Sequence, residues 1–169
     1  EVTLGPGMLS KKYDGLQNDL DAMAGVFLTR GEYTPALDES AQWHFTPLVK
    51  PGDTVRAADW LGSVTEAWID HKIMVPFDYT GAGTVRSIAP PGVYRASDTL
   101  AVVCDADGQE RSLNMIMRWP VKVEVRAYAD KPRPGKIMET GVRTIDTLNP
   151  MADGGTGFIP GPFGCGKTG

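Results

Sequence analysis

The residues of this chain with the clearest chemical potential lie between Gly161 and Thr168, where the sequence reads GPFGCGKT. They fit a pattern of one glycine, four further residues and Gly-Lys-Ser/Thr, in which a glycine-rich turn points successive backbone N–H groups at a phosphate chain. In that pattern Lys167 reaches the β- and γ-phosphates, which makes it the predicted catalytic residue, and the Thr168 hydroxyl holds Mg²⁺. The segment therefore predicts a site for ATP and Mg²⁺.

The other residues of this loop shape the backbone around the predicted phosphate site. Glycines let the backbone turn tightly without a Cβ in the way. Cys165 has two interpretations that stay open: a thiol made reactive by Lys167 and a helix N-terminus, or a small neutral filler. The predicted nucleotide-binding residues are Gly161, Pro162, Phe163, Gly164, Cys165, Gly166, Lys167 and Thr168.

A phosphate loop of this kind is positioned by a strand before it and a helix after it. Residues 157–160, with the sequence GFIP, predict the short buried strand. The helix would begin at the last residues of the sequence, so we expect the chain to contain only its start. The alternative interpretation is a glycine-rich tail in which Lys-Thr has no nucleotide to bind.

Composition limits the other classes of function. The chain has 169 residues, a net charge of −4 and no cluster of Lys and Arg, which disfavours nucleic acid as a partner. No apolar run approaches the roughly 20 residues that span a bilayer, and no signal sequence begins the chain. We therefore expect a cytoplasmic protein with no direct membrane span. Its 20 glycines and 13 prolines favour turns and short strands.

The sequence upstream of the loop predicts mainly β structure with little helix. Short alternating runs separated by Pro-Gly and Asp-Gly turns extend from about residue 41 to 128 and indicate a small barrel or sandwich. Apolar spacing from Ser10 to Gly25 predicts a short helix. Residues 121–125 predict a strand, residues 130–136 a linker, and residues 142–148 a helical turn.

The β-rich region raises a second class of function. Its turns resemble the barrel-sandwich modules that carry biotin or lipoate on a lysine, and Lys72 would be that lysine. An apolar run and Pro76 follow Lys72 closely, which leaves no room for the exposed hairpin tip that a carrier lysine needs. His44 and His71 are in separate predicted strands without nearby metal ligands, so a zinc site is disfavoured. The four tryptophans are expected to be core or interface anchors.

Several segments together resemble one family, the catalytic A subunits of V-type and archaeal A-type rotary ATPases. The clearest matches are TGVRTIDTLNP at 140–150, GGT at 154–156 and IPGPFGCGKT at 159–168. Further matches are LGPGML at 4–9, YDGLQ at 13–17, HKIMVP at 71–76 and MRWPV at 117–121. Residues 123–128 and Gly169 depart from the family pattern.

The resemblance implies three regions. Residues 1–26 would connect from an N-terminal barrel, and residues 27–118 would be the β-rich bulge insert that is typical of this family. Residues 119–169 would be a linker and the start of a RecA-like α/β nucleotide-binding domain. A different phosphate-loop NTPase remains a further alternative.

The resemblance also implies a function. The parent protein would couple ATP hydrolysis or synthesis to proton or sodium translocation, at the cytoplasmic side of a membrane. Its partners would be the peripheral stalk and the non-catalytic B subunit, and the insert by itself would be an interaction module. The groups that activate water lie after the phosphate loop or on a neighbouring protein of the complex in this family. We therefore expect the chain to be a fragment that is inactive alone.

Overall fold

The computed structural model describes residues 1–23, 25, 27, 30–127 and 133–166. Within this part of the chain the strands are β1 (Val2–Leu4), β2 (Gln42–Pro47), β3 (Thr54–Val55), β4 (Trp60–Glu66), β5 (Ile69–Met74), β6 (Gly83–Ile88), β7 (Gly92–Arg95), β8 (Ala101–Cys104), β9 (Glu110–Leu113), β10 (Met117–Trp119), β11 (Ile137–Met138) and β12 (Met151–Ala152). One helix, α1, spans Arg143–Leu148. The chain divides into two compact units, at residues 1–128 and 129–169. The prediction of mainly β structure is confirmed.

The first unit contains two four-stranded antiparallel sheets. One has the strand order β5-β4-β2-β7 and the other has the order β3-β6-β8-β9. Glycine or proline turns separate most of these short strands, and successive residues of β7 and β8 alternate in exposure as a pleated strand requires. A third sheet has two strands, β1 and β10. It places Thr3, near the start of the unit, opposite Arg118, which lies toward its end.

The core of this unit lies between the sheets. Leu61 of β4 is fully buried and packs in one cluster with Val85 of β6 and Val103 of β8, which belong to the other sheet. A second cluster surrounds Phe45 of β2 and includes Leu100, whose exposed fraction is 2%. Burial of such aliphatic and aromatic side chains is the main stabilising contribution in a sandwich of this kind.

The expected helix between Ser10 and Gly25 is not formed by the residues described there. The segment instead turns back on itself, with a bridge between Tyr13 and Asp19. The carboxylate of Asp14 accepts hydrogen bonds from the backbone N–H groups of Leu16 and Asn18. Such local bonds compete with helix, and they explain why apolar spacing was misleading here.

The expected strand at residues 121–125 is also absent, since this described segment forms a turn and then irregular chain. The indole N–H of Trp119 donates to the carbonyl of Val123 at 2.8 Å, which holds the turn after β10. Of the predicted linker at 130–136, residues 130–132 lie outside the described part. The second unit pairs β11 with β12 and places α1 between them in the chain, as predicted for residues 142–148.

Candidate nucleotide-binding loop

The predicted loop forms a turn in the second unit. The backbone N–H of Cys165 donates to the carbonyl of Pro162 at 3.3 Å. Gly164 has φ of +80° at the third position of this turn, where a type II turn requires a positive φ, and Gly166 has φ of +78°. A Cβ at Gly161 would collide with the Cys165 sulfur, so the first glycine permits the loop to close on itself.

The glycines also leave space on the outside of the turn. A Cβ built at Gly164 or at Gly166 meets no other atom within 4 Å, and the Phe163 side chain is fully exposed. The Cys165 thiol is free and exposed.

Two predicted site residues, Lys167 and Thr168, lie outside the described residues. The structure therefore brings together positions 161 to 166 of the predicted site. Side chains at Gly164 and Gly166 would strain the turn, because both residues have a positive φ. The residues predicted to hold the γ-phosphate and Mg²⁺ remain a sequence-based expectation.

The strand predicted before the loop is not formed. Residues 157–160 have no ladder partner in the described structure, and Phe158 and Ile159 are 86% and 74% exposed. A short apolar run becomes a buried strand only where neighbouring strands pair with it. Gly157 packs closely against the Met151 side chain, to which a Cβ would approach within 2.6 Å.

A carboxylate organises the chain before the helix of this unit. Asp146 accepts hydrogen bonds from the backbone N–H and hydroxyl of Thr140, at 3.0 and 2.6 Å, and from the backbone N–H of Gly141 at 3.0 Å. The Thr140 hydroxyl is the main reason that the pKa of Asp146 lies below its ordinary value. Sequence reasoning included this residue in the family pattern but did not predict its contacts.

The β11–β12 pair continues beyond its two strands. The backbone N–H of Asp153 donates to the carbonyl of Lys136 at 2.9 Å, and the two side chains lie 3.8 Å apart. Gly155 donates to the carbonyl of Ala152 at 2.8 Å. These bonds fix the residues at 152–155 from which the chain continues to the loop.

Lys72 does not occupy a hairpin tip. It lies within β5 opposite Ser63, while the β4–β5 hairpin turns at Ala67 and Trp68. Its ammonium pairs with Asp70 and lies 5.2 Å from the centre of the Trp60 ring. This arrangement removes the geometric basis for a carrier lysine.

A buried carboxylate in the first unit was missed by sequence reasoning. Glu66 is 5% exposed, and its Oε1 accepts hydrogen bonds from the backbone N–H groups of Gly7 and Leu9 at 2.7 and 3.0 Å. Its Oε2 lies 2.7 Å from Nδ1 of His71. Nothing in the sequence showed that the chain at residues 7–9 would reach Glu66 at the end of β4.

The structure also shows where the histidines and tryptophans lie and whether they could form a metal site or a core. His44 is exposed on β2, and no group of three or more metal-ligating side chains occurs among the described residues. Trp60 and Trp68 are 54% and 80% exposed, so they are not core residues. Trp119 packs edge-on against Phe77, with ring centres 5.5 Å apart.

The described helix is far too short and polar to cross a membrane.

Together, the two packed antiparallel sheets define a barrel-sandwich module, and a glycine-rich turn follows it in the chain. The sequence profile of the ATPsynthase alpha/beta subunit barrel-sandwich domain matches residues 34–122. This match covers more than half of the chain, and the chain therefore belongs to that family. The resemblance inferred from the sequence is confirmed.

Similar proteins agree with this assignment. The chain is 49% identical to a V-type ATP synthase alpha chain of Treponema denticola, which it matches over 99% of its own length and 29% of the relative's. It is 47% identical to the A subunit of an A-type ATP synthase from Hyperthermus butylicus, over 99% of its own length and 28% of the relative's. The chain thus spans less than a third of these relatives.

Proposed function

We propose that this chain is the part of a rotary V/A-type ATPase catalytic subunit that contains the inserted β module and the phosphate loop. The observation that carries the proposal is the 47–49% identity to V-type and A-type ATP synthase chains over 99% of the chain. The predicted loop lies within that match. The parent protein would bind ATP and couple its hydrolysis or synthesis to translocation of protons or sodium ions.

Each loop residue has a proposed role. The backbone N–H groups of residues 164–166 surround the phosphates, and the positive φ at Gly164 and Gly166 supports this geometry. Lys167 stabilises the charge on the γ-phosphate. The Thr168 hydroxyl holds Mg²⁺, which supplies charge neutralisation on the phosphate oxygens when bound.

The division of the chain follows the same reasoning. We assign residues 1–26 to a connector, residues 27–118 to the insert, and residues 119–169 to a linker and the start of a RecA-like domain. Support comes from the family match at 34–122 and from the boundary between the compact units near residue 128. The pairing of β1 with β10 places the start of the connector beside the end of the insert.

The proposed partners are the other subunits of the complex. The non-catalytic B subunit would complete the nucleotide site, and the peripheral stalk would contact the insert. Trp60 and Trp68 offer exposed aromatic surface on β4 and on the β4–β5 turn, and aromatic residues of this kind are enriched at interfaces. The location would be the cytoplasmic side of the membrane, as a peripheral part of the complex.

The decisive experiment places Lys167→Ala in the full-length protein, which is then assembled with its partners. We expect ATPase activity to fall by a factor of about 100 or more, because one preorganised charge on the transferring phosphoryl group is lost. Lys122→Ala is the matched control, since it removes an exposed charge distant in sequence from the loop. Equal activity of the two variant complexes would refute the proposed role of the loop.

A narrower alternative is an interaction module without a nucleotide site. It is favoured by the compact β sandwich and its exposed tryptophans. Binding of stalk subunits to the chain would support this alternative if neither Lys167→Ala nor added ATP changed the amount bound. Loss of capture on Trp68→Ala, with folding intact, would place the contact on the β4–β5 turn.

A further inference from the structure

The strand β1 has an unusual partner along one edge. The backbone N–H of Thr3 donates to Oε1 of Gln17 at 2.7 Å, and Nε2 of Gln17 donates to the carbonyl of Thr3 at 2.6 Å. One side-chain carboxamide therefore satisfies both backbone groups of a single strand residue. Only one orientation of the amide does this, because its oxygen must meet the N–H and its nitrogen the carbonyl.

These two backbone groups face away from β10. Successive residues of an antiparallel strand point their N–H and C=O groups alternately toward and away from the neighbouring strand. Thr3 is opposite Arg118 in the β1–β10 register, and its N–H and C=O both bond to Gln17. The carboxamide thus occupies the place that the backbone of a further strand would take.

The segment around Gln17 holds it in that position. Asp14 accepts hydrogen bonds from the backbone N–H groups of Leu16 and Asn18 and from the Asn18 amide, all at 2.8 Å. Asn18 is 4% exposed and accepts a hydrogen bond from the backbone N–H of Thr34 at 3.0 Å. The Asp14 bonds hold the turn around Gln17, and the bond between Asn18 and Thr34 ties this turn to the chain beyond the loop.

The backbone of Gln17 is strained, with φ of +66°. A left-handed conformation disfavours residues other than glycine and asparagine. Glycine would relieve the strain here but would have no amide to offer to Thr3. Strain of this kind persists where the surrounding structure and the side-chain contacts outweigh it.

We propose that Gln17 is an edge guard: its side chain takes the place of a strand on β1 and prevents a second copy of the chain from pairing there. An unguarded edge presents free N–H and C=O groups and is a template for intermolecular pairing. The bidentate side chain of Gln17 covers the outward-facing N–H and C=O of Thr3 in β1. This inference does not depend on nucleotide binding.

The test compares Gln17→Asn with the unmodified 169-residue chain. Asparagine keeps a carboxamide and tolerates the positive φ, but its side chain is one methylene too short to reach Thr3. We expect the Thr3 amide to exchange with solvent about tenfold faster in dilute samples. We also expect a dimer in sedimentation velocity at high concentration, in which the Thr3 amide regains protection.

Two further variants complete the test. Leu16→Ala removes the neighbouring side chain, which is 73% exposed, and is expected to remain monomeric with unchanged exchange at Thr3. Gln17→Glu has the same size but no donor for the Thr3 carbonyl, and it serves as the second variant if Gln17→Asn fails to fold. Unchanged Thr3 exchange in a folded Gln17 variant overturns the proposal. A variant with a fast-exchanging Thr3 that stays monomeric at every concentration overturns it equally.

Discussion

At the scale of single residues, the least expected finding is that buried charge joins parts of the chain that are far apart in sequence. Glu66 at the end of β4 binds the backbone of residues 7 and 9, and it also contacts His71. A carboxylate that is 5% exposed would be costly without partners, and here both of its oxygens have them. The N-terminal loop is therefore fixed to the β module by one side chain.

Removing this carboxylate should destabilise the chain. Glu66→Ala leaves the N–H groups of Gly7 and Leu9 without an acceptor, and we expect the free energy of unfolding to fall by about 2–3 kcal/mol. Urea denaturation followed by tryptophan fluorescence measures the change. Glu124→Ala is the control, because Glu124 is exposed and its carboxylate lies 3.3 Å from Arg126 on the surface. Its effect should stay below about 0.5 kcal/mol, and a similar loss in both variants would contradict the anchoring role.

The thiol in the loop gives a second prediction at this scale. Cys165 is exposed and lies against Gly161 in the turn. Alkylation of Cys165 would place a bulky group in the predicted phosphate cradle, and we expect the full-length protein to lose ATP binding. Binding is measured with a fluorescent ATP analogue, and Cys165→Ser should bind it and resist the reagent. If the fully alkylated protein kept its affinity, Cys165 would be outside the nucleotide site.

At the scale of elements, the sequence predicted most of the sandwich. Strand positions β2 to β6 and β8 follow alternating runs between Pro-Gly and Asp-Gly turns, and the helix before Asn149 was also predicted. These elements are specified locally, by side-chain periodicity and by turn residues. β7, at Gly92–Arg95, was not predicted as a separate strand. It has only four residues, and it becomes a strand by pairing with β2, which is distant in the sequence.

The wrong predictions have a common physical origin. Residues 121–125 and 157–160 have apolar residues suited to a strand but no neighbouring strand in the described structure, so they do not form one. Residues 10–25 have helical spacing, but Asp14 captures the backbone N–H groups of Leu16 and Asn18. For the candidate site, the motif predicted the glycine turn, while its orientation and supporting contacts depend on long-range packing that the sequence does not show.

A close contact within the first sheet gives a prediction for β4. A Cβ at Gly62 would collide with the Phe45 ring and lie 2.6 Å from the carbonyl oxygen of Thr46. We expect Gly62→Ala to lower the free energy of unfolding by about 1–3 kcal/mol through overpacking, as measured by urea denaturation. Gly15→Ala is the matched control, since no atom lies within 4 Å of its Cβ position. An unchanged free energy of unfolding in Gly62→Ala would mean that β2 and β4 can move apart to accept the methyl group, which would contradict the close packing inferred here.

The loop of residues 13–19 gives a pH prediction. Hydrogen bonds from Asn18 lower the pKa of Asp14, and the hydrogen bond from Lys11 lowers the pKa of Asp19. A carboxyl whose folded pKa is lowered stabilises the fold fully above its unfolded pKa of about 3.9, and this stability is lost as the pH falls through the folded value. The protection of the amides in this loop, measured as exchange relative to the intrinsic rate at each pH, should therefore fall below about pH 4. The fall should be smaller in the double variant Asp14→Asn, Asp19→Asn, and an equal pH response would assign it to other carboxyls.

At the scale of the whole molecule, the chain combines a well-packed unit with a second unit that buries little. In the first unit two clusters of fully buried side chains lie between the sheets. In the second unit, α1 has no buried residue, and Leu148, Phe158 and Ile159 are mostly exposed. The β module therefore has a buried core that stabilises it, whereas the described residues of the second unit bury few side chains.

This difference predicts how the 169-residue chain behaves alone. Phosphoryl transfer needs an acidic group for Mg²⁺, a residue that orients water and an arginine that stabilises the transition state, all held in fixed positions. The described loop has glycines and an exposed turn but no packed surroundings to hold such groups. We expect no ATP turnover above the level of the Lys167→Ala chain in a coupled phosphate-release assay, and no saturable ATP binding by calorimetry at micromolar concentrations. Turnover that disappears in Lys167→Ala would show that these residues suffice for catalysis, and it would contradict the assignment of the water-activating groups to the rest of the parent protein and its neighbour.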